Sequence, residues 1–163
     1  MFFSTVCLYA GSQIEDSCVE IYGQVVVEKV DSENISFYKC IKENEVAGFA
    51  FYTKDVSPEI KGYAGIINLL VVVDKEGIIK KITILENKET PVSMKKIENF
   101  GFLSKFLNKN ILGMEFKKDI DAVSRATVSS KAIFESVKVS VKKVLEKAGA
   151  ISKEAKFYKV VEE

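Results

Sequence analysis

Residues 66–73, Ile-Ile-Asn-Leu-Leu-Val-Val-Val, make the longest apolar run in the chain, and β-branched side chains dominate it. A run that does not alternate has no polar face to offer to water. It therefore predicts a central strand covered on both faces. The compact polar turn Asp74-Lys75-Glu76-Gly77 follows, and residues 78–85 return as the partner strand. Upstream, residues 35–41 and 46–52 are two β-rich runs joined by the polar turn Lys42-Glu43-Asn44-Glu45, a natural hairpin. Gly48, inside the second run, leaves room for a close neighbour or serves as a plain strand glycine.

The remaining segments are read by the same logic. Residues 12–17 read as a polar turn, and residues 21–30 as a strand or the end of a short helix. After residue 85 the chain leaves the sheet, and Pro91 holds Thr90 out of helical geometry, so residues 86–91 are expected as an extended loop. Ile97, Phe100, Leu103, Phe106 and Leu107 recur at helical intervals interrupted by Gly101, which predicts a broken helix or two short turns over residues 95–107. A loop is expected over residues 108–113. Ile133, Val137, Val141, Val144 and Leu145 mark the buried stripe of a long amphipathic helix over residues 129–147, with Gly149 placed to close it. Residues 155–161 suggest an edge strand. Strands joined by hairpins, followed by late helices, predict an α+β fold: a mostly antiparallel sheet with helices packed on it, in a single domain. At 163 residues and 47% hydrophobic, the chain has the size and the material for one such core.

Composition removes several chemistries. Histidine is absent, and with it the commonest general base and the commonest zinc ligand. Cys7, Cys18 and Cys40 are irregularly spaced without a Cys-x-x-Cys pair, so neither a zinc ribbon nor an iron–sulfur cluster is supported. A Cys7–Cys18 disulfide is allowed but not demanded. With a formal net charge of +1, the chain has no field to gather nucleic acid, and its late lysines interleave with Glu135, Glu146 and Glu154. No nucleic-acid partner is expected. Residues 1–20 form an N-terminal segment whose apolar start is either the remnant of an export or membrane-anchor segment or a short element packed on the core. Residues 21–163 are the domain proper.

The long helix is preceded by Asp121-Ala122-Val123-Ser124-Arg125-Ala126-Thr127-Val128-Ser129-Ser130. Hydroxyls and a guanidinium thus gather at a helix N-terminus, where unpaired N–H groups and the macrodipole favour a phosphate. The plainer reading is that Ser124, Thr127 or Ser129 is an N-cap, with Asp121 near the positive helix end.

Asp121, Ser124 and the pair Ala126-Thr127 resemble the flavinylation signature of FMN-binding domains, an aspartate followed by Ser/Thr-Gly-Ala-Thr. Such domains occur in the G subunit of Rnf complexes, the C subunit of the sodium-pumping NADH:quinone reductase, and regulatory flavoproteins of nitrous oxide respiration. Arg125 replaces the usual glycine, and Ser-Arg-Ala-Thr is similar to the nitrous oxide branch. Arg125 costs nothing if its backbone does not need positive φ, and its charge can pair with a phosphate or the flavin or simply be solvated. The element Gly62-Tyr63-Ala64-Gly65 and the loop Glu89-Thr90-Pro91 also resemble the family, although Val92-Ser93-Met94 lacks its glycines. The likeness covers about residues 46–140.

The resemblance implies FMN esterified through its phosphate to Thr127, with Ser124, Arg125, Ala126, Ser129, Ser130, Asp121, Glu89, Thr90, Tyr63 and Gly65 around it. It implies an electron-carrier domain more than a stand-alone enzyme, with no catalytic residue and no metal of its own. Its partners would be a flavin transferase dependent on FAD and magnesium, and redox proteins at a membrane. Its place would be extracytoplasmic, anchored to a membrane in the full-length protein. Two alternatives stand beside it: an FMN-dependent reductase with non-covalent flavin, and a binding or structural module without cofactor.

Overall fold

The computed structural model describes residues 12–151. The expected edge strand over residues 155–161, the apolar start of the chain and Cys7 lie outside the described residues. Among the described residues, β1 (Val26–Ser32), β2 (Ile35–Lys42), β3 (Glu45–Tyr52), β4 (Leu69–Asp74) and β5 (Ile79–Ile84) form one antiparallel sheet in the order β1-β2-β3-β4-β5. Both expected hairpins are present. The apolar run becomes β4, although residues 66–68 still belong to the connection from β3.

Every β4 residue from Leu69 to Val73 is buried, and strand alternation divides them between two cores. Leu69, Val71 and Val73 join Phe37, Phe49, Phe51 and Ile79 on the thick side of the sheet. There they meet α3 (Thr127–Lys147) and α2 (Pro91–Asn99). Leu70 and Val72 join Cys40 and Ala50 on the thin side, under the short helix α1 (Gln13–Tyr22). The fold is α+β, with helices on both faces of an antiparallel sheet.

α1 replaces the polar turn expected around residues 12–17. Ser12 caps it by accepting from Glu15 N–H at 3.2 Å, and Ile14 and Cys18, a helical step apart, are its buried contacts with the sheet. The second correction concerns residues 91–94. Thr90 is extended, as Pro91 requires, but Pro91 occupies the first position of α2, where its missing N–H is no loss. The helix thus begins four residues before the expected start and stops before Gly101, whose φ is +65°. At the far end of α3, Gly149 N–H donates to Glu146 O at 3.2 Å and Ala150 N–H to Leu145 O at 2.9 Å, the paired bonds of a glycine-closed helix. The stripe Ile133, Val137, Val141, Val144 and Leu145 is fully buried, as its spacing predicts.

Candidate functional site

Three segments meet near the N-terminus of α3: the connection around residues 62–65, the stretch Glu89-Thr90-Pro91, and the turn that opens α3. Their meeting point is the Glu89 carboxylate, which is buried. Its Oε1 accepts from Ala64 N–H at 2.8 Å and its Oε2 accepts from Ser129 Oγ at 2.6 Å. A carboxylate that accepts from both neighbours is a clamp, because charge-assisted bonds are the strong kind. Gly62 lies so close that a Cβ there would fall 2.5 Å from Glu89 Oε1 and 2.8 Å from Ile67 Cδ1. Only glycine lets the loop pass. Gly65 O accepts from Gly62 N–H at 2.7 Å and closes that loop, leaving Tyr63 at its tip 80% exposed.

The opening of α3 is a tight turn. Ala126 N–H donates to Val123 O at 2.9 Å, and Arg125, third residue of the turn, has φ +61°. A positive φ at that position is what favours glycine there. The condition under which Arg125 would cost nothing is therefore not met: its φ is positive, and an L side chain in the left-handed region costs about 1–2 kcal/mol. Ser130, fully buried, ties the turn to the helix by accepting from Val123 N–H at 3.2 Å and donating to Thr127 O at 3.1 Å.

The hydroxyls of this stretch thus divide into two sets. Ser129 and Ser130 are buried and engaged with protein groups, whereas Ser124 and Thr127 are exposed, as are Asp121 and Arg125. Thr127 Oγ1 has one weak internal bond, to Val123 O at 3.5 Å. None of Ser124, Thr127 and Ser129 is the N-cap; that position belongs to Ala126, which has no side chain to close the helix, and the first turn of α3 holds no acidic residue. The first N–H groups of α3 thus have no side-chain cap. Thr90, by contrast, caps α2, accepting from Ser93 N–H at 3.2 Å and donating to Ser93 Oγ at 2.9 Å.

The sequence reading missed the exposed apolar side chains on these segments. Ile66, Val92 and Val128 join Tyr63 in being exposed, the last two at 64% and 54%. Half of the large exposed hydrophobics among the described residues therefore sit on segments that Glu89 holds together. It also missed Gly62, whose signal was a glycine just before an exposed loop tip. A cleft of about 550 Å³ lies between β5 and α2, lined among others by Ile84, Met94, Ile97 and Phe102, and none of the exposed residues of the α3 turn borders it.

The FMN-binding domain model matches residues 62–142. That span runs from Gly62 through the Glu89 clamp and the α3 turn. The chain is 34% identical over 95 residues to the G subunit of the proton-translocating ferredoxin:NAD(+) oxidoreductase complex of Clostridium ljungdahlii, covering 55% of this chain and 51% of the relative. It is 27% identical over 130 residues to the G subunit of the Na(+)-translocating ferredoxin:NAD(+) oxidoreductase complex of Acetobacterium woodii, covering 75% of this chain and 60% of the relative. To the G subunit of the ion-translocating oxidoreductase complex of Pasteurella multocida it is 34% identical over 115 residues, covering 64% and 55%. The chain thus spans a little over half the length of these curated relatives. No helix among the described residues is long and apolar enough to cross a membrane. Matching the family's domain over the residues that build this site, the chain belongs to the FMN-binding domain family.

Proposed function

We propose that this domain carries FMN joined through its phosphate to Thr127 Oγ1 and passes electrons within a membrane-associated redox complex of the kind its relatives are named for. The observation that carries this reading is the exposed Thr127 hydroxyl at the head of α3. Of the three described helices, α1 and α2 are capped by Ser12 and Thr90, and α3 alone opens with neither a side-chain cap nor an acidic residue. No side chain of the turn itself closes that helix end, and the one carboxylate that reaches it, Glu89, is engaged with Ser129 Oγ and Ala64 N–H.

The residues suit the cofactor's two chemistries. The N–H groups of the first α3 turn, with Ser124 and Arg125 on the turn before it, provide donors for a phosphate. Tyr63, Val92 and Val128 provide exposed apolar and aromatic surface for a flat ring. Glu89 and Ser129 hold the two sides in register. FMN, when bound, supplies the electron chemistry, and the chain's own part is to fix and orient it. The relatives are all named as the G component of ion-translocating complexes, which favours that branch of the family over the nitrous oxide branch.

Attachment belongs to a partner flavin transferase using FAD and magnesium. Thr127 Oγ1 gains a bond to the phosphorus of the FMN half of FAD, the pyrophosphate bond breaks, and AMP leaves. The hydroxyl proton goes to a base of the transferase, since none lies beside Thr127; Asp121 serves to present the turn. An ester keeps the cofactor in place whatever the free FMN concentration, which suits an extracytoplasmic position.

The test is an intact-mass spectrum of the chain co-expressed with a flavin transferase, alongside Thr127→Ala. The expected result is an FMN adduct that survives denaturation and disappears in the variant. An adduct retained in Thr127→Ala overturns the attachment site. Flavin that leaves on denaturation, with turnover from a nicotinamide donor, turns the reading to a reductase, and colourless protein turns it to a module without cofactor.

A further inference from the structure

On the thin side of the sheet, away from the residues just discussed, two thiols are buried together. Cys18 on α1 and Cys40 on β2 are both fully buried in one small cluster with Ile14, Ala50, Leu70 and Val72. Both are free, and they share the small buried cluster where α1 packs on β2. α1 is pinned at its next turn as well. Tyr22 Oη donates to Val73 O at 3.4 Å and lies over Gly48, where any Cβ would overlap it. Gly48 is the cross-strand partner of Cys40, and the register of β2 and β3 shifts directly after that pair. Bulges of this kind re-aim a side chain. The approach of α1 to the sheet is therefore fixed on both sides of the thiol pair, by Ile14 before it and by Tyr22 after it.

We propose that Cys18 and Cys40 are a disulfide site, closing the loop from residue 18 to residue 40 and fastening α1 to the sheet. Each thiol loses its hydrogen and a bond forms between the two Sγ atoms. The two electrons and two protons pass to a disulfide oxidant of the glutathione class, whose S–S bond breaks to give two thiols. One thiolate attacks the oxidant and forms a mixed disulfide; the second attacks the first sulfur and releases the remaining thiol. Cys18 beside it, and then burial, hold the Cys40 thiol above the ordinary thiol range. Because both sulfurs are buried, exchange takes place as the chain folds or when α1 opens locally. Cys7, the third cysteine of the chain, remains the unpaired one. The inference does not depend on the flavin.

The experiment is refolding of the full chain from urea in a buffer of oxidised and reduced glutathione, followed by alkylation, non-reducing digestion and mass mapping. The expected result is a peptide linking Cys18 to Cys40, lighter than its separate halves by two hydrogens, with Cys7 alone alkylated. The Cys7→Ser chain should behave identically, and its oxidised form should melt on the order of 10 °C above its reduced form. Complete alkylation of Cys18 and Cys40 in Cys7→Ser, or a link from either of them to Cys7 in the unmodified chain, overturns the proposal. Using Cys7→Ser avoids any variant of the buried pair, so a folding failure of Cys18→Ser does not enter the result.

Discussion

Thr90 and Thr127 each stand at the start of a helix, and both belong to the segments that Glu89 draws together, yet their hydroxyls have opposite fates. Thr90 is extended and sits before Pro91, so its Oγ1 turns back onto Ser93 and closes α2. Thr127 is one residue further into its helix, at the first helical position, and its cap position is filled by Ala126. There its Oγ1 donates one long bond to Val123 O at 3.5 Å and does not serve as the helix cap. One threonine completes its helix and the other does not. A hydroxyl near a helix start is therefore not informative by itself; its offset from the first turn decides whether the fold uses it up.

The comparison breaks most sharply at Glu89, which holds both helix starts. In Glu89→Ala the buried Ser129 hydroxyl loses its acceptor and the residue 62–65 loop loses its anchor. Two bonds to a charged group are lost, one of them buried, so the expected cost is about 2–3 kcal/mol after water re-pairs the exposed Ala64 N–H. Urea unfolding of the two proteins checks it. Equal midpoints mean that Glu89 contributes nothing as a clamp, and that the segments are placed by their apolar contacts alone.

A smaller effect separates the two threonines directly. Thr90→Ala should cost about 1 kcal/mol, the usual loss for an N-cap, and leave the mass of any FMN adduct unchanged. A thermal melt and the intact mass, read on the same sample, give both halves of the statement. Loss of the adduct with α2 intact would place Thr90 among the groups the transferase needs, and the contrast with Thr127 would fall.

These contrasts were only partly legible in the sequence. The two hairpins, the doubly covered β4 and the stripe of α3 followed from periodicity, because long-range packing and local pattern agree there. α1 was legible but overlooked: Ser12 followed three residues later by Glu15 is a capping pattern, and Ile14, Cys18 and Ile21 keep helical spacing. Its few apolar residues looked like a turn because the face it covers is small. Thr90-Pro91 was read for what proline forbids before it and not for what it permits after it. The division of hydroxyls in the α3 turn was out of reach, since it depends on where Glu89 arrives from a distant part of the chain. The same holds for Gly62, which matters only because that carboxylate passes beside it.

Arg125 gives the smallest effect and the one with the opposite sign. Its left-handed backbone costs about 1–2 kcal/mol, so Arg125→Gly removes a strain. Glycine returns part of that gain, because the freer unfolded chain loses about 0.5–1 kcal/mol more on folding. The net is a stabilisation of a few tenths to about 1 kcal/mol, a rise in Tm of at most a few degrees for a chain of this size. Arg125 is exposed and has no ion pair among the described residues, so nothing else in the fold offsets the gain. A melt of Arg125→Gly that falls instead of rising would mean that the guanidinium stabilises the turn by more than its backbone strains it. If the melt rises while the flavin adduct forms more slowly, the arginine is kept for the phosphate and not for the fold. The turn would then join Thr127 on the side of residues whose shape the folded chain tolerates without needing it.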